Sequence, residues 1–157
     1  MVTNNFYKRQ RANFINAAPV LIDETGAEIT TIKAGGSSGR PYFVDGTTPN
    51  AHKMLFGTSD TAPTGAEFNL LSENTNFTQL SFTVATTDED GKTVVTFTKV
   101  AQYTGEETIE IKEAGIFQYL NKNSNTAYWF LMAREVFATP VTVSNGDTIT
   151  VSISVKF

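Results

Sequence analysis

The C-terminal end of the chain constrains its fold more than any other segment does. From residue 148 to residue 157 polar and apolar residues alternate without interruption, and the apolar set is Ile149, Val151, Ile153, Val155 and Phe157. Because successive side chains of a β-strand point to opposite faces, this alternation predicts a strand with one face in a core and the other in water. The turn-forming residues 144–147 precede the strand. A terminal segment held in a sheet does not fray, so the pattern indicates an all-β scaffold.

Strand signals recur along most of the chain. Short strands are predicted at residues 20–22, 27–33 and 108–112, the first two around a hairpin turn at 23–26, and longer ones at 77–86 and 92–103. Turn signals at 88–91 and 121–125 indicate two places where the chain reverses direction. Strands at this spacing indicate an antiparallel sandwich or barrel. An antiparallel β-sandwich, jelly-roll-like in arrangement, is the fold expected here. Residues 63–71 could form one short helix, since proline suits a first turn, and at most one such helix is expected.

Three positions within these strands carry more specific expectations. Leu80 falls on the apolar side of the strand at 77–86, and Gly115 interrupts the strand around it, which predicts a bulge or a bend. Residues 127–137 are apolar on both faces, which is typical of a central strand covered on both sides. Trp129 lies in that strand and is therefore predicted to be buried.

The first 18 residues differ from the rest of the chain. They lack a helical or strand period, so they are predicted to form an extended N-terminal arm, and residues 19–157 a single β-sandwich domain. Residues 1–22 carry three positive charges and no negative ones, so the remainder has a net charge of −7. We expect the arm to lie across an adjacent subunit or another protein of an assembly. The arm residues proposed to make this contact are Phe6, Tyr7, Lys8, Arg9, Arg11, Phe14 and Ile15.

The composition provides little for catalysis. The chain has no cysteine, so thiolate nucleophiles and Cys-based zinc sites are excluded, and His52 is its only histidine. The longest apolar run, residues 127–133, is too short for a membrane helix, and no signal-peptide core follows the basic residues. The acidic body supplies few cations for nucleic acid. No catalytic, cofactor-binding or metal-binding residue is predicted, and neither nucleic acid nor a membrane is expected as a partner.

One pair of charged residues lies within otherwise apolar strands. Glu113 follows the strand at 108–112, and Arg134 belongs to the apolar segment 127–137. A catalytic carboxylate with an anion-binding arginine is one interpretation. The other is a structural ion pair across adjacent strands, because an isolated buried charge is very costly. The second interpretation is favoured, since no other catalytic group accompanies the two residues.

An ordered set of short motifs resembles a known class of proteins. The motifs are residues 57–63 followed by Phe68 and Leu71, 113–117, 132–134 with Phe137, 140–143, and 146–151 with the closing Phe157. In this order they resemble small structural virion proteins of tailed bacteriophages, over about residues 55–157. The resemblance implies a β-sandwich subunit of a tail, collar or head-associated assembly.

The resemblance also implies a function without a reaction. It predicts a non-enzymatic homo-oligomeric subunit of the head–tail collar, connector or tail, assembled in the host cytoplasm with other virion proteins as partners and no cofactor. A head decoration or fibre-base protein is the alternative within the same class. A carbohydrate-binding module for host attachment is the alternative from another class, and it would require exposed Trp or Tyr side chains near polar loop residues.

Overall fold

The computed structural model describes residue 1 and residues 21–29, 52–123 and 126–156, and every regular element in these residues is a β-strand. All strand pairs are antiparallel. The all-β antiparallel fold expected from the sequence is therefore confirmed. The described strands are β1 (Leu21–Ile22), β2 (Glu28–Ile29), β3 (His52–Gly57), β4 (Glu73–Asn74), β5 (Phe77–Glu89), β6 (Lys92–Tyr103), β7 (Ile109–Asn123), β8 (Thr126–Val143) and β9 (Thr148–Lys156).

Two sheets enclose a shared core. The four-stranded sheet has the order β4-β3-β7-β8, the three-stranded sheet has the order β5-β6-β9, and β1 pairs with β2 in a small hairpin. Met54 and Ile116 from the first sheet join Phe97 and Ile153 from the second in one buried cluster, to which Leu21 also belongs. This is sandwich packing. The jelly-roll arrangement stays a prediction, because the two described sheets hold fewer strands than a jelly roll has.

The turns follow the sequence signals. Asp90 and Gly91 have φ values of 51° and 73° between the paired residues Glu89 and Lys92, as a two-residue hairpin turn requires. Ahead of β9, the Asp147 amide donates a hydrogen bond to the Ser144 carbonyl at 2.9 Å. Strand β9 itself pairs with β6 and alternates between buried and exposed side chains. The predicted strand β9 and the reversals within residues 88–91 and 144–147 are confirmed here, whereas the turn predicted at 121–125 includes residues outside the described ones.

Strand β8 differs from its prediction. Residues 130–134 are buried, but β8 is the outermost described strand of the four-stranded sheet and not a central one. Its outer face is covered by a long loop, residues 58–72, and its inner face by the core. One face of β8 is therefore covered by a loop and the other by the opposing sheet. Apolar composition alone shows that both faces are covered, but it does not show how many strands lie beside β8.

The helix proposed for residues 63–71 is absent, and the described backbone there is irregular. The Glu67 carboxylate accepts hydrogen bonds from the Thr64 amide at 2.7 Å and the Gly65 amide at 2.8 Å. Gly65 has a φ of 83°, which is incompatible with a right-handed helix. The Thr58 amide also donates to the Ser72 carbonyl at 2.9 Å, which closes residues 58–72 into an Ω-loop.

Register shifts in β5 and β7 place side chains differently from simple alternation. The β5–β6 register shifts between Gln79 and Ser81, and Leu80, predicted to face the core, is 56% exposed. In β7 the register shifts lie at 111/113 and 116/117 on either side of Gly115 and not at the glycine itself. A Cβ on Gly115 would lie 2.7 Å from Leu70 Cδ2 and 2.8 Å from Leu131 Cδ1. A methyl group here would have to displace the ends of these two side chains, so the glycine favours the close approach of the Ω-loop.

Candidate functional site

The two charged residues singled out in the sequence are in contact. Arg134 of β8 lies opposite Gly115 of β7, one step along the outer face from Glu113. Arg134 Nε donates a hydrogen bond to Glu113 Oε2 at 2.7 Å, and both side chains are completely buried. A buried charge pair is tolerated only when its remaining polar atoms are also satisfied.

The Ω-loop supplies most of those additional partners. Arg134 Nη2 donates to the Thr61 carbonyl at 2.9 Å, and the Ser72 amide donates to Glu113 Oε1 at 3.0 Å. Glu67 Oε1 lies 3.7 Å from Arg134 Nη1, an ion-pair distance longer than a hydrogen bond. We call these five residues, Thr61, Glu67, Ser72, Glu113 and Arg134, the ion-pair centre.

Glu67 is held in its charged form by the loop itself. Burial alone would raise the pKa of its carboxyl, but hydrogen bonds from the backbone of Thr64, Gly65 and Glu67 and from the Thr64 hydroxyl lower it below the usual value. The arginine therefore faces two carboxylates, one from β7 and one from the loop. The arrangement fastens an irregular segment to a sheet.

The ion-pair centre has no room for a substrate at the Glu113–Arg134 contact. Both side chains are inaccessible and are directed at protein atoms. A Cβ on Gly57 would contact the Glu113 carboxylate and would lie 2.6 Å from the Ser72 carbonyl. These contacts hold the Ω-loop against the four-stranded sheet. The interpretation of Arg134 as an anion-binding residue has no support in this geometry.

His52 lies in the core between the sheets. It is buried, and its ring centroid lies 5.4 Å from that of Phe97 on β6. Burial disfavours the imidazolium and lowers the pKa of His52 to about 4. Within the described ranges no group of three or more His, Asp or Glu side chains is placed to hold a metal ion.

Lys99 is a buried cation that the sequence analysis missed. Its Nζ donates to the Met54 carbonyl at 2.7 Å and lies 4.8 Å from the centroid of the Phe56 ring. Burial lowers the pKa of Lys99, and the carboxylate of Glu73 partly opposes that effect. A cleft of about 160 Å³ reaches this lysine between β4 and β5. The signal was available, because residue 99 continues the inward positions 95, 97, 101 and 103 of β6.

Trp129 is not buried as predicted. Its indole lies on the outer face of the four-stranded sheet, partly exposed, at a centroid distance of 5.1 Å from Tyr119, which is 38% exposed. Lys53 Nζ lies 4.5 Å from the indole centroid and 2.8 Å from a Glu24 carboxylate oxygen. Trp129 is therefore accessible enough to belong to a sugar-binding surface.

The arm residues Phe6 to Ile15 lie outside the described residues, so their predicted contact with a neighbour stays a prediction. The first residue is described. The Met1 α-amino group donates to the Arg134 carbonyl at 2.6 Å, and the Arg134 amide donates to the Met1 carbonyl at 2.9 Å. Met1 thus pairs with the outer edge of β8 in its own chain.

Comparison with known proteins yields no relative. No family model matches the chain, and no curated protein or solved structure does so either. In the described part of the chain no helix is long and apolar enough to cross a membrane.

Proposed function

We propose that this chain is a non-enzymatic structural subunit of a tailed-bacteriophage virion, and that it works as a homo-oligomer in the head–tail collar, connector or tail. The proposal rests on the motif resemblance over residues 55–157 and on the antiparallel β-sandwich, the architecture that the resemblance implies. Its partners are other virion proteins, and its location is the assembled particle.

The ion-pair centre is the observation that carries the proposal. Three of the motifs that make up the resemblance, residues 57–63, 113–117 and 132–134, lie far apart in sequence, yet Thr61, Glu113 and Arg134 meet there. These three motifs therefore form one structural unit, in which charged residues serve to hold a loop. A chain that uses its buried charges in this way is suited to be a rigid building block.

The test is to locate the chain in particles of the phage that encodes it. We expect mass spectrometry of purified virions to detect it at many copies, and cryo-electron microscopy to show sister chains in contact at the collar or tail. Density on the capsid surface or at the fibre base would favour the head-decoration or fibre-base alternative. Absence of the chain from purified particles would contradict the proposal.

The arm has its own experiment. Deleting residues 1–18 is expected to leave a folded domain with a near-normal thermal transition and to abolish incorporation into particles. The matched control is the replacement Met1→Ala, which keeps the backbone pairing with Arg134. Normal incorporation of the truncated chain would contradict the arm hypothesis.

A carbohydrate-binding host-attachment module is the second candidate, and the partly exposed pair Tyr119 and Trp129 favours it. Aromatic faces beside polar groups suit sugar rings, although Lys53 already covers one side of the indole. Glycan-array binding that is lost in Trp129→Ala but retained in Phe68→Ala, a change at another exposed aromatic residue, would support this candidate.

A further inference from the structure

Strand β5 is a long edge strand with little cover. It runs for 13 residues, it pairs with β6 on one side, and no described strand pairs with its other side. None of its side chains is fully buried, including those of Phe82 and Val84, which face the core. Leu80 projects from the bulge into solvent.

Apart from the bulge between Gln79 and Ser81, β5 lacks the features that usually protect an edge. Natural edges carry charges, prolines or bulges, or are very short, because free backbone amides and carbonyls recruit further strands. Residues 78–87 contain no charge and no proline, and charges begin only at Asp88. Beyond the bulge, the register with β6 is unbroken from Ser81 to Glu89. The free edge of β5 can therefore pair with a further strand.

The opposite edge of the same sheet is different. Strand β9 is also outermost, but three of its four inward side chains, Ile149, Ile153 and Val155, are buried within their own chain, and only Val151 is partly exposed. Pairing would give them little further cover. On β5, the partly exposed Phe82 and Val84 would gain cover from an added strand, so β5 is the edge that benefits.

We propose that β5 pairs with β5 of a second copy of this chain, antiparallel about a two-fold axis near Thr83. Two three-stranded sheets then join into one of six strands, with Phe82 of each copy beside Val84 of the other. This names the contact of the homo-oligomer expected above and rests on the proposed function to that extent. Such an isologous contact closes on itself and stops at two copies.

Charge selects the antiparallel orientation. Asp88, Glu89 and Asp90 lie together at the tip of the β5–β6 hairpin. Parallel pairing would place these acidic tips side by side, and like charges in adjacent positions are destabilising. Antiparallel pairing about Thr83 separates them to opposite ends of the joined sheet and leaves the uncharged residues in contact.

Sedimentation of the full chain tests the pairing. The wild-type protein is expected to be a dimer, and Thr83→Lys should raise its dissociation constant by about 100-fold, because the axis brings the two lysines together. Thr150→Lys is the matched control on the outer face of β9 and should leave the dimer unchanged, with circular dichroism verifying the fold of both variants. A monomeric wild-type protein, or a Thr83→Lys variant that dimerises normally, would overturn the proposal. Equal disruption by Thr150→Lys would do so in favour of a β5–β9 contact.

Cysteine cross-linking tests the orientation independently, since the chain has no cysteine of its own. Single variants Ser81→Cys, Thr83→Cys and Ala85→Cys each carry one thiol on the outer face of β5. Antiparallel pairing predicts a disulfide-linked dimer at one of these positions, Thr83 first, and weak or no linkage at the other two. Linkage at all three would show parallel pairing, and linkage at none would show that β5 is not the contact.

The two proposals fail separately. A solution dimer through β5 in a chain that is absent from virions would remove the virion function and retain the contact. A chain found in virions with Thr83→Lys incorporated normally would retain the function and remove the contact.

Discussion

The outer faces of the two sheets are built on opposite principles. On the four-stranded sheet, the Ω-loop covers the middle of the face, and the ion-pair centre lies beneath it with Glu113 and Arg134 fully buried. On the three-stranded sheet no described segment covers the face, and hydroxyl pairs such as Thr96–Ser154 and Thr98–Ser152, each at 2.8 Å, lie at the surface.

The difference follows from the needs of the backbone. A strand satisfies its amides and carbonyls in the sheet, whereas a loop must find partners elsewhere when it is buried. The Thr61 carbonyl and the Ser72 amide find theirs in Arg134 and Glu113. Buried charges therefore lie where the Ω-loop covers the four-stranded sheet. The outer face of the three-stranded sheet carries neutral hydroxyl groups instead.

The largest effect should come from breaking the ion-pair centre. Arg134→Met and Glu113→Gln are each expected to lower the free energy of unfolding by ~3–5 kcal/mol, because each leaves a buried charge without its partner. The double variant should lose less than the sum. Urea denaturation measures all three. The exposed pair Lys156–Glu89, at 3.8 Å on the other sheet, is the matched control, and Lys156→Met should change stability by at most ~1 kcal/mol.

Strictly additive losses of stability in this double-mutant cycle would contradict the contrast drawn between the two outer faces. They would mean that Glu113 and Arg134 contribute independently, and that the covered face needs no paired charge.

Lowering the pH should probe the core that both sheets share. His52 has a pKa of about 4 when folded against 6.5 normally, so the unfolded chain binds more protons between these values. The His52 contribution to the free energy of unfolding is thus complete above about pH 6.5 and falls by about 3 kcal/mol as the pH drops toward 4. Chemical denaturation at several pH values measures it. In His52→Phe this part of the pH dependence should disappear, and an unchanged profile would refute the assignment.

Substitutions at two glycines under the Ω-loop should show whether close contact with a backbone atom costs more stability than close contact with side chains. Gly57→Ala pushes a methyl group against the Ser72 carbonyl, which cannot move away, whereas Gly115→Ala meets the ends of two leucine side chains. We expect losses of roughly 1–3 kcal/mol, with Gly57→Ala the larger. Limited proteolysis should show earlier cleavage within residues 58–72 in both variants. A larger loss for Gly115→Ala would contradict this account of the loop contact.

The smallest effect is expected on the bare face. Thr98→Val and Ser152→Ala each remove one side of a surface hydroxyl pair, and either should change the free energy of unfolding by less than about 0.5 kcal/mol. Thermal unfolding with each single variant measures this. A loss comparable to that of Arg134→Met would show that the hydroxyl face is a structural element in its own right.

The sequence predicted the regular parts of this molecule better than the irregular ones. Alternation located β9, and the turn signal at residues 88–91 located the hairpin, because both signals depend on neighbouring residues. The ion-pair partners Glu113 and Arg134 could be named since charge within apolar strands has few uses. Glu67 could not, because its role depends on a loop whose path is set by contacts with residues far along the chain: the Ser72 amide bonds to Glu113, 41 residues later, and Glu67 itself faces Arg134.

The errors share one physical origin. Residues 63–71 contain helix-compatible residues, but Gly65 and the Glu67 hydrogen bonds select another backbone. Trp129 was assigned to the core because the segment around it is apolar on both faces, whereas in the structure it packs at the margin of the cluster around Leu70 and stays partly exposed. Tertiary cover is not encoded in local periodicity, so the position of an irregular segment had to come from the structure.

The pairing of β9 with β6 also bears on how the chain is synthesised. Strand β6 has both of its neighbours only when β9 is present, and β9 is the last described strand. During translation the β5–β6 hairpin emerges before β9, so its own sheet stays a two-stranded ribbon until β9 follows, and such a ribbon is marginally stable in water. Throughout that interval both edges of the ribbon are open to other nascent chains, so a ribosome that stalls between β6 and β9 is expected to release an aggregation-prone fragment.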